Sequence, residues 1–307
     1  MRICSFLPAV TEIIYALGLE ESLYGVTHEC DYPKGAMSKP IVLDMIDHNN
    51  YSSESSQWKI DRRISESVNL GHGLYQINLK ILKEIKPDII FTQELCNVCS
   101  IAYKEVLKTV HEVGGDSQVI SMAPRGLDGV LEAILKIGEA TGTQDKAEKL
   151  TLNLRERILT VKSKTEKVDS KSRVFCAEWL DPIYCSGHWI PEMIEFAGGI
   201  EGLGIKGADA RKIKWNEVIS YNPEVIIMMP CGYDVEKTVS QGHLLLERDD
   251  WKELQAVKDN RVYATNANWY YSRPGPRLVD GLEFLSYIIH PEIFSDEPPK
   301  SAVKPLM

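Results

Sequence analysis

Short runs of hydrophobic residues alternate with longer segments whose apolar positions recur at helical spacing, and this alternation continues along most of the chain. It is typical of βαβ units built around mainly parallel sheets. The pattern predicts a strand at residues 2–6, a helix after Pro8 that Gly18 is placed to cap, and a second strand at residues 23–27. The sequence therefore predicts the α/β fold class.

An internal sequence repeat divides the chain into two similar parts. Residues 79–92 predict a short helix, a turn made of proline and an acidic residue, and a strand, and residues 215–229 repeat this plan. A further strand is predicted after each copy, at residues 118–122 and 261–265. Because a repeated pattern indicates a repeated structural unit, we predict two Rossmann-like lobes with mainly parallel sheets.

Two long helical patterns separate the copies, at residues 127–141 and 144–167. The second contains neither glycine nor proline, and about 22 helical residues would span roughly 33 Å. We interpret this helix as a rigid connector between the lobes. The predicted boundaries are an N-terminal lobe at residues 1–123, connecting helices at 124–170 and a C-terminal lobe at 171–307.

Three further segments complete the expected order of elements. Residues 44–59 are polar and rich in serine and asparagine, which predicts a surface loop. Residues 277–290 predict a final helix. The Pro-rich tail that starts at Pro291 predicts an irregular terminus.

Composition narrows the classes of function. Of the 307 residues, 44% are hydrophobic and 26% are charged, which is the balance of a soluble globular protein. The formal net charge of −9 gives no basic surface for a polyanion, so nucleic acid is not expected as a partner. No apolar run approaches the roughly 20 residues that span a bilayer, so we predict no membrane-spanning segment.

The start of the chain and its cysteines bear on its location. The first residues lack the charged start, apolar run and cleavage site of a secretory signal. With Met1 as the natural start, the expected location is cytoplasmic, and with a trimmed leader it is periplasmic or extracellular. The seven cysteines are an odd number in a large chain, which favours reduced thiols.

Cysteine and histidine residues fall beyond the carboxyl ends of predicted strands, where open parallel sheets bind ligands. The spacing of Cys96 and Cys99 suits zinc, iron or an iron–sulfur cluster. His28 and Cys30 are candidates to join this set of metal ligands, and Cys231 or His188 could complete it. Alternatively, these cysteines are small buried residues that pack the bases of loops. A third interpretation is a redox-active dithiol formed by Cys96 and Cys99.

The C-terminal lobe carries a second group of candidates, which combines aromatic rings with polar side chains. A flat aromatic surface suits a macrocycle, and an arginine suits a carboxylate or phosphate. Core packing is the alternative for about half of the rings. Glu192 either opens a helix or acts as an acid–base partner of Glu178. The predicted ligand-binding residues are Glu178, Trp179, His188, Trp189, Tyr270, Tyr271 and Arg273.

Several segments over nearly the whole chain carry a resemblance to one family. They are residues 3–19, 23–27, 28–33, 60–61, 86–90, 92–99, 178–182, 187–192 and 273–277. These segments resemble the cobalamin- and siderophore-binding proteins of ABC importers, which are helical-backbone (class III) periplasmic binding proteins. The resemblance implies two α/β lobes, a rigid connecting helix and little hinge motion.

These observations lead to one leading functional hypothesis and two alternatives. The leading hypothesis is that the cleft between the lobes captures a metal-containing small molecule, a corrinoid or an iron complex, without transforming it. An ABC permease is the partner that the resemblance implies. The first alternative is a cytoplasmic enzyme with a metal or iron–sulfur cluster held by Cys30, Cys96, Cys99 and Cys231. The second is a thiol redox sensor based on Cys96 and Cys99.

Overall fold

A computed structural model describes most of the chain, and its described residues form two compact units. Both units take one long and one short part of the chain. The described residues are 1–46, 56–69, 74–93, 109–110 and 116–306. The first unit comprises Met1–Pro124 with Glu132–Thr151, and the second comprises Arg125–Leu131 with Leu152–Met307.

A six-stranded sheet forms the first unit, in the order β4-β3-β2-β1-β5-β6. All its neighbouring strands are parallel except β3 and β4. Because the chain adds β2 on one side of β1 and later β5 on the other, a topological switch point lies at β1. The strands are β1 (Ile3–Ser5), β2 (Leu23–Thr27), β3 (Ile41–Met45), β4 (Tyr75–Ile77), β5 (Ile89–Gln93) and β6 (Gln118–Met122).

Helices α1 (Pro8–Ala16), α2 (Gln57–Asn69) and α3 (Leu79–Ile85) belong to this unit. Gly18 ends α1 in the left-handed region at φ 68°. Its N–H donates to the Tyr15 carbonyl at 2.9 Å, and the Leu19 N–H reaches back to the Ile14 carbonyl at 3.0 Å. This Schellman arrangement satisfies the last carbonyls of the helix, so the predicted cap is confirmed.

Both predicted boundaries of the surface loop at residues 44–59 are wrong. Strand β3 continues to Met45, and α2 already begins at Gln57. Asp44 and Met45 pair with β4, so backbone pairing with a neighbouring strand outweighs the polar composition of this segment.

Two long helices, α4 (Leu127–Thr141) and α5 (Gln144–Thr165), contribute residues to both units. In the first unit, the Lys146 ammonium donates to the Leu17 carbonyl at the end of α1, at 2.8 Å. Four apolar residues along α5 are buried, namely Ala147, Leu154, Ile158 and Val161. No helix in the described part of the chain has the length and apolar character needed to cross a membrane.

The second unit is built on another six-stranded sheet, in which β12-β11-β10-β7-β8 form the main order and β9 also pairs with β7. Strands β7, β9, β10 and β11 run parallel, while β8 and β12 are antiparallel to their neighbours. The predicted α/β class with mainly parallel sheets is confirmed. The strands are β7 (Arg173–Leu180), β8 (Ile183–Cys185), β9 (Ile200–Glu201), β10 (Val225–Met228), β11 (Val262–Thr265) and β12 (Val303–Pro305).

Short helices follow most of these strands, and their apolar faces cover a core centred on Phe175, Ile226 and Met228. They are α6 (Ile190–Phe196), α7 (Trp215–Tyr221), α8 (Val235–Gln241), α9 (His243–Leu246), α10 (Gln255–Lys258), α11 (Ala267–Tyr270) and α12 (Leu278–Ile289).

The internal sequence repeat forms the same local structure in both units. Helices α3 and α7 each end in a left-handed residue before a proline, at Lys86 (φ 49°) and Asn222 (φ 44°). The acid that follows then holds the start of the unit's first parallel strand. Asp88 accepts a hydrogen bond from the Arg2 N–H at 2.6 Å, and Glu224 accepts one from the Arg173 N–H at 2.9 Å. These acids therefore have a structural role at equivalent positions.

The prediction of an irregular C-terminal tail is wrong, because the chain returns to the sheet as β12. Thr265 of β11 pairs with Val303, and Ala302 is fully buried. Without β12, the backbone groups on that side of β11 would face solvent unpaired. A sequence pattern of three residues after several prolines is too short to reveal such a strand.

Arg157 joins α5 to α12 by a network of charged hydrogen bonds. Its guanidinium donates to both carboxylate oxygens of Glu283, at 2.9 and 2.6 Å, and to Asp280 at 2.6 Å. These bonds raise the pKa of Arg157, with the Glu283 bond as the largest cause. We expect Arg157→Ala to lower the free energy of unfolding by about 1.5 kcal/mol, measured by urea denaturation. The exposed Arg155→Ala on the same helix is the control, and equal losses for both variants would contradict the expectation.

Candidate ligand-binding site

The carboxyl ends of β7, β10 and β11 lie side by side, because these strands are parallel and adjacent. Glu178 and Trp179 stand at the end of β7, and Cys231 follows β10. The Cys231 N–H donates to the Glu178 carbonyl at 3.0 Å, which ties the two chain segments together. In open parallel sheets, this end is where ligands bind.

Aromatic rings line this end of the sheet. Trp179 meets Tyr233 edge to face with ring centroids 5.5 Å apart. The Lys237 ammonium lies 3.9 Å from the centre of the Tyr233 ring, and burial lowers the pKa of Lys237. The Asn268 N–H donates to the Tyr233 carbonyl at 3.0 Å, which links this pair to the segment after β11. Tyr233 and Lys237 are additions to the predicted set.

A second aromatic pair follows β11. Trp269 and Tyr270 meet edge to face with centroids 6.3 Å apart. The Arg277 guanidinium carbon lies 5.3 Å from the Trp269 ring centre and 5.9 Å from that of Tyr270. Tyr270 also packs edge to face on Phe284 of α12 at 5.0 Å. Both rings are half-buried, so each retains accessible surface.

Arg273 lies in the same segment but is largely buried, with 7% of its surface exposed. One guanidinium nitrogen donates to the Asn268 side-chain oxygen at 2.9 Å. Its neighbour Ser272 accepts a hydrogen bond from the Gly232 N–H at 3.1 Å. Ser272 thus connects the loops after β10 and β11, while the Arg273 bond lies within the segment after β11.

Trp189 and Tyr271 lie in the core, where 5% and 3% of their surfaces are exposed. The Trp189 indole N–H donates to the Tyr271 carbonyl at 2.7 Å, and the Tyr271 hydroxyl donates to the Gly281 carbonyl at 3.2 Å. Burial raises the pKa of Tyr271 well above its usual value. This environment fits the packing alternative for these two rings.

The Glu178 carboxylate points back into the unit and accepts a hydrogen bond from the Gly187 N–H at 2.9 Å. Desolvation raises its pKa to about 8, and the nearby Cys231 and Glu201 add to the rise, while the Gly187 bond opposes it. Burial at the base of the candidate site therefore favours the protonated form of this carboxyl.

His188 follows β8 and has a left-handed backbone at φ 51°. Its ring nitrogen Nε2 lies 3.3 Å from the Asp209 carboxylate, and its ring packs beside Trp189 with centroids 5.5 Å apart. The structure thus places His188 in the loop whose Gly187 N–H contacts Glu178.

In the first unit, the structure places Cys30 in a buried polar cluster. The Cys30 sulfur lies 3.1 Å from the Thr11 hydroxyl, which donates to the Ser5 hydroxyl at 2.9 Å. Cys30 has 4% of its surface exposed. This environment fits the packing alternative for Cys30.

His28 lies nearby in sequence, at the carboxyl end of β2. Its Nδ1 is 3.4 Å from the Asp44 carboxylate, and its ring faces Tyr75 with centroids 6.0 Å apart. A histidine paired with a carboxylate is a common arrangement in ligand sites. Cys96 and Cys99 lie outside the described residues.

No three His, Cys, Asp or Glu side chains within the described ranges come together as a metal site. The predicted set of metal ligands is therefore not assembled by its described members alone, and it stays a prediction. Cys231, by contrast with Cys30, is exposed.

Glu192 lies in the first turn of α6, as one of its two interpretations predicts. Its carboxylate also accepts a hydrogen bond from the Leu127 N–H at 2.7 Å and pairs with the Lys206 ammonium at 2.9 Å. This contact caps the start of α4. It could not be predicted from the sequence, because the two residues are 65 positions apart.

Comparison with known proteins matches residues 3–268 to the family described as periplasmic binding protein. An ABC transporter substrate-binding lipoprotein of Bacillus subtilis, itself uncharacterized, is 27% identical over 96% of this chain and 82% of its own length. A vitamin B12-binding protein of Vibrio cholerae is 24% identical over 92% of this chain and 86% of its own.

Solved structures share the fold. The periplasmic vitamin B12-binding protein of Vibrio cholerae has a TM-score of 0.68 and 22% identity, covering 96% of this chain and 98% of that one. A periplasmic heme-binding protein of Pseudomonas aeruginosa has a TM-score of 0.71 and 18% identity, covering 95% and 93%. The resemblance seen in the sequence is confirmed, and the chain belongs to the periplasmic binding protein family.

Proposed function

We propose that this chain captures a ring-shaped metal complex, a corrinoid or an iron complex of the haem type, for an ABC importer. The observation that carries the proposal is the set of half-buried aromatic rings at the carboxyl ends of two parallel strands, β7 and β11. Trp179, Trp269 and Tyr270 retain exposed surface there, and cationic groups of Lys237 and Arg277 lie over neighbouring rings.

The chemistry of these groups suits such a ligand. Aromatic faces bind a large flat ring through apolar contact and stacking. Lysine and arginine at the edge of the same surface complement carboxylate or phosphate substituents of the ring. The names of two relatives, one vitamin B12-binding and one heme-binding, support a ligand of this size and class.

Replacing Trp179 by alanine is expected to weaken binding of the ring at least about tenfold, because an aromatic contact of this kind is worth on the order of 1 kcal/mol beyond its buried area. Isothermal titration and absorption spectroscopy with cyanocobalamin and with haemin measure the effect. Trp58→Ala is the matched control, since Trp58 is 49% exposed on α2 of the other unit. We expect it to bind as the wild-type protein does.

Two results would contradict the proposal. Failure of the wild-type protein to bind either probe below millimolar concentration removes the ligand class. Equal affinity of the Trp179 and Trp58 variants removes this face of the second unit as the binding surface.

The proposal also bears on location. An importer takes up its ligand outside the cytoplasmic membrane, and the Bacillus subtilis relative is named a lipoprotein. The relatives give no support to the cytoplasmic prediction. Fractionation of cells that produce the protein from its own gene is the direct test, and delivery of bound ligand to a permease remains a prediction.

A further inference from the structure

Two cationic side chains lie against the aromatic rings at the carboxyl ends of the strands. The Lys237 ammonium is 3.9 Å from the centre of the Tyr233 ring, and Tyr233 meets Trp179 edge to face. The Arg277 guanidinium carbon is 5.3 Å from the centre of the Trp269 ring. Both charges therefore border the rings of the proposed binding surface.

The Lys237 ammonium is partly desolvated, and no carboxylate of the described residues pairs with it. Desolvation lowers the pKa of Lys237, while the charge of Asp234 opposes that effect. The Asp234 carboxylate instead caps helix α8, where it accepts the Lys237 backbone N–H at 2.8 Å. Because the fold already removes part of its water, this ammonium loses less hydration when an anion binds.

Arg277 stands at the start of helix α12, where the helix dipole disfavours a positive charge. The nearby acids of this helix, Asp280 and Glu283, bind Arg157 of α5. The dipole of α12 therefore gives no reason for a cation at this position. An anion bound beside Trp269 would compensate for the unfavourable placement.

The two acids at the end of β7 contribute little negative charge to this face. Burial favours the protonated form of Glu178, whose carboxyl accepts the Gly187 N–H. Asp181 lies 3.9 Å from the Arg248 guanidinium. The positive charges beside the rings are therefore not neutralised by these acids, and they favour a ligand with negative charge.

We propose that Lys237 and Arg277 select a ring whose edge carries ionised carboxylates, as the porphyrin of haem does, over a ring whose substituents are neutral amides. This inference rests on the proposed function and narrows its ligand to the anionic class. A carboxylate attracts both cations by its net charge and can accept two hydrogen bonds from the arginine, whereas an amide offers one neutral acceptor. The aromatic rings suit both classes, so the two cations make the difference between them.

Haemin and haemin dimethyl ester test the proposal, because they share the ring and the iron and differ only in whether the two carboxylates are ionised or masked. We expect the wild-type protein to bind haemin about tenfold more tightly, from about threefold for each partly exposed ion pair. Absorption titrations of both probes in one solvent mixture measure the difference. Raising the salt concentration should weaken the binding of haemin and leave that of the ester unchanged.

Lys237→Gln and Arg277→Gln each remove one charge and keep a polar side chain. Each should reduce the preference for haemin about threefold, and the double variant should bind haemin and the ester within about twofold of each other. Lys162→Gln is the matched control, because the Lys162 ammonium also lies over a ring, 4.1 Å from the centre of Phe196. Phe196 precedes β9 at the amino ends of the parallel strands, so this variant should keep the wild-type preference.

The outcomes separate this inference from the proposed function. Equal affinity for haemin and the ester, or a preference that is undiminished in the double variant, overturns the role of the two cations and leaves the proposed function standing. Tighter binding of cyanocobalamin than of haemin overturns the selection of carboxylates with the same consequence. Absence of binding to haemin, the ester and cyanocobalamin overturns both.

Discussion

Replacing Glu178 by glutamine is expected to remove a loss of stability that the wild-type protein shows as pH rises from about 5 to 8. Desolvation raises the pKa of this carboxyl from its usual 4.5 to about 8 in the folded protein. Between these values the folded state holds a proton that the unfolded state has released. Folding therefore becomes less favourable with increasing pH, by at most about 1.4 kcal/mol per pH unit.

The full effect is expected to be smaller than the pKa difference alone implies, because Glu178 is only half-buried as a residue and solvent reduces the cost of its charge. Urea denaturation of both proteins at several pH values measures it. We expect the stability of Glu178→Gln relative to wild type to rise steadily across this window.

Glu195→Gln, an exposed change on α6, provides the control and should follow the wild-type curve. A constant difference between Glu178→Gln and wild type from pH 5 to 8 would show that the carboxyl is ionised throughout. The same pH series carried out with bound cyanocobalamin or haemin shows whether protonation of Glu178 also changes the affinity for the ligand.

Glu192→Ala is expected to lower the free energy of unfolding by about 3 kcal/mol near neutral pH. It leaves the Leu127 N–H at the start of α4 without its partner, and an unsatisfied buried donor costs about 1–3 kcal/mol. It also removes a charged hydrogen bond to Lys206, which adds to the loss. That bond is the largest cause of the raised pKa of Lys206.

Glu195→Ala on the same helix is the matched control. Glu195 lies 3.8 Å from the same lysine but is 62% exposed, and such surface pairs contribute roughly 0–1 kcal/mol. Denaturation curves in urea compare the two. A loss below about 1 kcal/mol for Glu192→Ala would mean that water replaces its contact with α4.

Much of the fold could be predicted from local signals. The helix caps at Gly18, Lys86 and Asn222 depend on glycine, asparagine or a following proline within a few residues of each other. The two helix–turn–strand copies were visible for the same reason. Strand β12 could not be predicted, because it forms by pairing with a strand that is distant in sequence. The start of α2 was missed because the polar composition of that segment is typical of a loop.

The candidate site was predictable in part. Parallel strands place their carboxyl ends together, so Trp179, Cys231 and Trp269 could be grouped from the order of elements alone. The burial of the individual rings could not be predicted in this way. Trp189 and Tyr271 have the same aromatic composition as Trp179 and Tyr270, and only the packing around them puts the first two in the core.

The sequence by itself determined the α/β class, the repeated unit and the strand ends at which the chemical groups cluster, because these depend on periodicity and on local backbone preferences. Only the tertiary structure decided the state of those groups. The protonation of Glu178, the orientation of His188 towards Asp209 and the capping of α4 by Glu192 all depend on desolvation and on contacts between segments far apart in the chain. Such contacts leave no periodic trace in a sequence.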